Sequence, residues 1–163
     1  MSARSKARKR ALDVLYEADI RGTSAPEVLA SQTERRLDSG DPALNSYVSE
    51  LVGGVESHRE RIDELLSTYS MGWSLERMPA VDRSVLRMAV YEVLWRDDIP
   101  DAVAISEAVS LAQELSTEES ATFVNGLLGR LSDVKGRLGI EPEAGIDSDR
   151  SQAGPATGES PST

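Results

Sequence analysis

Along this chain apolar residues recur at helical spacing between a series of cap and stop signals. Nowhere do they alternate with polar residues in the two-residue rhythm of a strand. That pattern confines the fold to the all-α class. Aromatic residues make up only 4% of the sequence, while alanine, leucine, arginine and glutamate, all good helix formers, are abundant. A first helix is expected over residues 5–21, stopped by Gly22. Ser24 and Glu27 have capping-box spacing, so a second starts near Ala25. Asp41-Pro42 is a cap and first-turn signal for a third, which reaches about Tyr69 with Gly53-Gly54 as its weak spot. Met71-Gly72-Trp73 interrupts the pattern, and a short helix follows from Ser74 to just before Pro79. The next runs from Ala80 to about Arg96, with Asp97-Asp98-Ile99-Pro100 as a connector to a helix over 101–114. Ser116 and Glu119 suggest a further capping box, opening a last helix that ends near Gly136 or Gly139. About seven helices without a solenoid repeat predict an antiparallel helical bundle.

The length, 163 residues, suits one domain with a real core. We expect that domain to span 1–139. From Glu141 the composition turns to glycine, serine, proline and acids without apolar periodicity, so 140–163 is expected to be an acidic, disordered tail. No apolar run is long enough to span a membrane, and no apolar stretch follows the basic start to make a secretory signal. A cytoplasmic protein without membrane contact is the expectation. The absence of cysteine excludes disulfides, thiol catalysis and cysteine-based zinc sites.

The net charge of −10 argues at first against a nucleic-acid partner. Its distribution argues for one. Arg4, Lys6, Arg8, Lys9 and Arg10 fall within the first ten residues with no acid among them, leaving a net of −15 on the remainder. Salt screens charges beyond about 8–10 Å, so an acidic protein can still offer one basic patch to phosphates. On a helical wheel Ala11, Val14, Leu15 and Ala18 form the core stripe of the first helix. Lys6, Lys9 and Arg10 lie roughly opposite. Arg4 and Arg8 point nearer the core side, at an end expected to overhang the bundle. The basic run is either an RNA-binding end, with arginine forks for phosphates and bases, or a solvated tail. Tyr16 and Ile20, one turn apart on the outer face, form either a partner patch or a packing contact with a neighbouring helix.

Nothing in the sequence assembles a catalytic set, so no enzyme activity, cofactor or metal is expected. The single histidine, His58, sits among Glu56, Arg59 and Glu60 and reads as a surface residue. No glycine loop suited to phosphate appears.

Arg83 and Arg87 lie one turn apart within Met78-Pro-Ala-Val-Asp-Arg-Ser-Val-Leu-Arg87. That segment resembles the central signature of the NusB family of bacterial transcription antitermination factors. Asp98-Ile-Pro100 with Val103-Ala-Ile-Ser-Glu-Ala-Val109 is similar to the family's next element. Glu119-Ser120 with Phe123-Val-Asn-Gly126 is similar to the hallmark of its last helix, and Arg8-Lys-Arg-Ala-Leu-Asp-Val-Leu-Tyr16 to its opening. The likeness covers about residues 4–138 and keeps the order of four elements. It departs where Ser5 and Ala7 interrupt the arginine run, and where Ser106 replaces a common asparagine.

The resemblance implies two stacked three-helix subdomains and a non-catalytic adapter in antitermination on ribosomal RNA operons. It implies binding to a boxA element of leader RNA together with NusE, the tenth protein of the small ribosomal subunit. RNA polymerase and other Nus factors are the implied assembly, and a homodimer could mask the RNA surface. The implied RNA surface falls on Arg4, Lys6 and Arg8, with Lys9 and Arg10 extending the run, and continues through Arg83, Arg87, Phe123 and Asn125. Phe123 could instead be core. The implied NusE surface falls on Tyr16, Ile20, Glu76 and Asp82, flanked by Glu119. The contrasting class is a helical protein-interaction module that ignores RNA.

Overall fold

The computed structural model of the protein describes residues 2–143. Among these residues there are six α-helices: α1 Ala3–Arg21, α2 Ala25–Ser39, α3 Ser46–Tyr69, α4 Ala80–Trp95, α5 Asp101–Leu115 and α6 Glu118–Val134. Short 3-10 turns at Leu75–Arg77 and Lys135–Arg137 follow α3 and α6. Among the described residues there is no strand.

Local chemistry sets most boundaries where the sequence places them. Gly22, at φ 64°, donates back to the Ala18 and Asp19 carbonyls and ends α1. Ser24 accepts from the Glu27 N–H and opens α2. The third helix begins later than Asp41-Pro42 predicts. Arg36 donates from Nε and Nη2 to the Pro42 carbonyl (3.0 and 2.7 Å), holding that stretch as a connector. Asn45 then caps α3 by accepting from the Tyr47 N–H. The cap of α6 is likewise Thr117, which accepts from Ser120 N–H, while Ser116 closes α5.

Gly53-Gly54 does not weaken α3 into a break. A Cβ added at Gly54 would sit 2.1 Å from Tyr91 Cζ, so this glycine is where α3 and α4 close on one another.

Helices α1, α2 and α3 pack together, as do α4, α5 and α6, and α4 joins the two groups by lying against α1 and α3. This is the stacked three-helix arrangement. Every residue from Ser84 to Arg96 is buried, which makes α4 the central rod. A helix buried on all sides is expected to be apolar all round. This one and its cap residue nevertheless carry Arg87, Glu92 and Arg96, each with an oppositely charged partner that offsets the cost of leaving water, while the buried Asp82 is met by the Ser120 hydroxyl instead.

Beyond Gly139 the described residues, 140–143, stay on the body. Ile140 packs on the core, and the Glu143 N–H donates to the Trp95 carbonyl at 2.7 Å. The Glu143 carboxylate meets Tyr91 Oη at 2.9 Å and His58 Nε2. Burial pushes this carboxyl up, but His58 and Tyr91 more than reverse that and hold it below its usual range. His58 is therefore partly covered, stacked on Trp95 with ring centres 4.4 Å apart. The remainder of the expected acidic tail, from Ala144, lies outside the described residues. Among the described residues no helix is long and apolar enough to cross a membrane, and no group of His, Asp and Glu could hold a metal ion.

Candidate nucleic-acid interface

The basic start of α1 does not overhang the bundle. Its first turns pack, and Ala7, Arg8 and Ala11 are buried. Arg8, expected at an open cationic end, is 2% exposed. Its guanidinium forks onto Glu92 through Nε (2.9 Å) and Nη2 (2.9 Å), and the Tyr47 hydroxyl donates to the same carboxylate at 2.5 Å. The physical reason is the wheel position: Arg8 faces the core side, and α4 supplies a buried acid there. Burial lowers the Arg8 pKa, but the bond to and charge of Glu92, with Tyr47 and Glu107, raise it further, for a net rise. Burial, followed by Glu92, also drives the Tyr47 hydroxyl well above its ordinary value. Arg8 is thus a locked structural cation in this arrangement.

Arg4 and Arg96 join Arg8 around the Tyr47 ring, with guanidinium carbons 4.9, 5.3 and 5.7 Å from its centre for Arg4, Arg96 and Arg8 respectively. Arg4 also reaches Asp98 at 3.4 Å, and Lys9 pairs with Glu114 on α5. Both keep substantial exposure, and exposed pairs of this kind contribute little energy and exchange partners readily. Lys6 and Arg10 are exposed on the flank of α1 away from those acids.

Arg83 and Arg87 share Asp19 of α1. Arg83 bonds it through Nε and Nη2 (2.9 and 2.6 Å) and also donates to the Leu75 carbonyl. Arg87 is buried and forks onto Asp63 of α3 (2.8 and 3.0 Å). Burial pushes the Asp19 carboxyl up, but the two arginines outweigh this and hold it below the usual carboxylate range. These arginines therefore tie α1, α3 and α4 together. Asp19 lies eleven residues along α1 from Arg8, about 16 Å at the rise of an α-helix. The two basic groups expected to make one surface stand at opposite ends of α1.

Phe123 is half-buried, edge-on to Trp73 with centroids 5.2 Å apart, and Asn125 is exposed on the opposite edge of the buried stripe of α6, about 200° around the helix. Tyr16 and Ile20 are 40% and 60% exposed, so the apolar patch on α1 faces solvent. Glu76 is exposed on the 3-10 turn that Arg83 fastens toward α1, and Glu119 is exposed in the first turn of α6. Asp82 differs: it is fully buried, accepting from Ser120 Oγ at 2.6 Å, and fixes the start of α6 onto α4.

Sequence reasoning missed Tyr47, Arg96 and Arg36. The first two are recognisable only once α3 and α4 are seen to meet behind α1. Arg36 gains its position from the folded connector that it holds.

The NusB family model matches residues 5–133. A transcription antitermination protein NusB of Thermobifida fusca is 54% identical over 138 residues, covering 85% of this chain and 94% of that one. Among solved structures, T. maritima NusB superposes with a TM-score of 0.70 at 32% identity, over 85% of this chain and 99% of that one. A complex of antitermination factors NusB and NusE with dsRNA contains a chain that matches with a TM-score of 0.68 at 26% identity, over 82% and 98%.

Proposed function

The chain belongs to the NusB family, and from that premise we propose that it is a non-catalytic RNA–protein adapter of transcription antitermination. In this reading it binds the boxA element of ribosomal RNA leaders together with NusE and joins RNA polymerase and other Nus factors in the cytoplasm. The observation that carries it is the division of α1: exposed cations at one end, and an exposed Tyr16/Ile20 pair toward the other, in a protein of net charge −10. One helix thereby offers an electrostatic surface for phosphates and an apolar surface for a protein. The solved NusB–NusE complex with dsRNA supports both partners.

Within this reading Arg4, Lys6, Lys9 and Arg10 contact RNA, while Arg8 and Arg87 act by holding the helices that present them. Arg83 fastens the turn bearing Glu76 near the Tyr16/Ile20 patch, and Asp82 orients the α6 end bearing Glu119. Phe123 and Asn125, on opposite edges of α6, are two further RNA contacts, with the exposed part of the ring open to an unstacked base. A homodimer could cover either surface, and light scattering at working concentration tests for it.

The test is a fluorescence titration of boxA RNA and a scrambled RNA, with and without NusE. Tighter binding of boxA than of the scramble, and a further gain with NusE, is the expected result. Equal affinity for both RNAs, unchanged by NusE, overturns the reading and leaves a helical protein-interaction module.

A further inference from the structure

The five cations at the start of α1 divide by flank. Arg4, Arg8 and Lys9 face carboxylates, namely Asp98, Glu92 with Glu107, and Glu114. Lys6 and Arg10, one helical turn apart, have no carboxylate within 4.0 Å among the described residues, although the Asp13 carboxyl one turn on feels the charge of Arg10. They line a groove of about 200 Å³ between α1 and the connector into α3. Its other wall carries Arg36 from the end of α2 and Asn45, the cap of α3, and Ala7 and Leu44 also line it. Arg36 is held by the Pro42 carbonyl through Nε and Nη2, which fixes the guanidinium at the groove and leaves Nη1 to donate elsewhere. The N-terminal turn of the 24-residue α3 begins beside it and adds the positive end of a helix dipole.

We propose that this groove is where the sugar–phosphate backbone of the bound RNA crosses from α1 onto the α2–α3 connector, its phosphates held by Lys6, Arg10 and Arg36. This rests on the RNA-binding reading above and adds a direction and a residue to it. The acids on the α5 flank weaken the pull of Arg4 and Lys9 on a polyanion and leave these two as edge contacts that must exchange partners. The opposite flank presents three cations around a trough, without a carboxylate among its lining residues. Arg36 suits the role because a planar fork anchored at one edge can still bond a phosphate oxygen at the other.

Binding of boxA RNA is measured over a salt series for the wild type, Arg36→Gln, the Lys6→Gln/Arg10→Gln pair, and Arg35→Gln as a control of equal charge at an exposed position on α2. Each phosphate of a single strand that is no longer neutralised makes the slope of log K against log salt shallower by about 0.7. Arg36→Gln should lose about one such increment and the Lys6/Arg10 pair about two, while Arg35→Gln keeps the wild-type slope. Arg36→Lys, which keeps the charge, should restore most of the slope. Chemical modification of arginines in the unaltered protein supplies a readout that needs no substitution, with RNA protecting Arg10 and Arg36 but not Arg35. Arg36 behaving like Arg35 in slope and in protection overturns this proposal and leaves the RNA reading standing. Wild-type protein with no salt-dependent RNA binding overturns both.

Discussion

Replacing Arg8 by methionine should destabilise the fold strongly while removing no exposed charge. The Arg8 and Glu92 side chains are 3% and 1% exposed, so water can take over little of the interaction. Arg8→Met leaves the Glu92 carboxylate buried, with the Tyr47 hydroxyl as its remaining donor among the described residues. Removing one member of a buried ion pair costs about 3–5 kcal/mol, most of it the penalty of the stranded charge. For a chain of this size each kcal/mol moves Tm by about 2–4 °C, so a fall of roughly 10 °C is expected. The double variant Arg8→Met/Glu92→Met removes the stranded charge and should recover much of that loss, since a packed apolar pair is often as stable as the ions it replaces. Thermal melts followed by circular dichroism at pH 7 compare the three proteins. Arg8→Met melting within about 1 °C of wild type, or the double variant melting below the single one, would refute the buried-pair argument.

Three further outcomes follow from the same packing and ion pairs. Gly54→Ala should lower the urea midpoint, because its Cβ would lie 2.1 Å from Tyr91 Cζ, whereas Gly53→Ala meets nothing within 4 Å and should be neutral or stabilising by up to about 1 kcal/mol. The folded pKa of Asp19 lies below its unfolded value, so its contribution is full above about pH 4 and is lost as pH falls through the lowered folded pKa. The stability gap between wild type and Asp19→Asn should therefore shrink below about pH 4, and a gap that stays constant down to pH 2 contradicts the assignment. Tyr16→Ala/Ile20→Ala, at exposed positions, should weaken NusE binding at least tenfold with helicity and Tm unchanged, as measured by calorimetry and circular dichroism.

Much of the fold was legible because local chemistry decided it. Gly22, Ser24 and the helical stripe of α1 act through neighbours within a turn or two, which a single sequence displays. The start of α3 was not, because the Arg36 bond to the Pro42 carbonyl overrides the Asp41-Pro42 signal with an interaction made after the chain turns back. The same distinction runs through the interface. Tyr16 and Ile20 were placed outward by periodicity and are outward. The side of α1 that Arg8 faces was also readable. That an acid waits there, on a helix 84 residues further along, was not. The clustering of cations was visible in the sequence, but its division into paired and unpaired flanks depends on where Asp98, Glu107 and Glu114 come to rest.

The central claim is that one molecule holds RNA and a ribosomal protein at the same time, and thermodynamic linkage tests it most directly. The affinity for boxA RNA is measured with and without saturating NusE, and the affinity for NusE with and without saturating boxA RNA. The account predicts that both ratios exceed one, and they must agree because coupling between two sites is reciprocal. An RNA affinity that falls in proportion to the NusE added, as it does when two ligands compete for one surface, would contradict it.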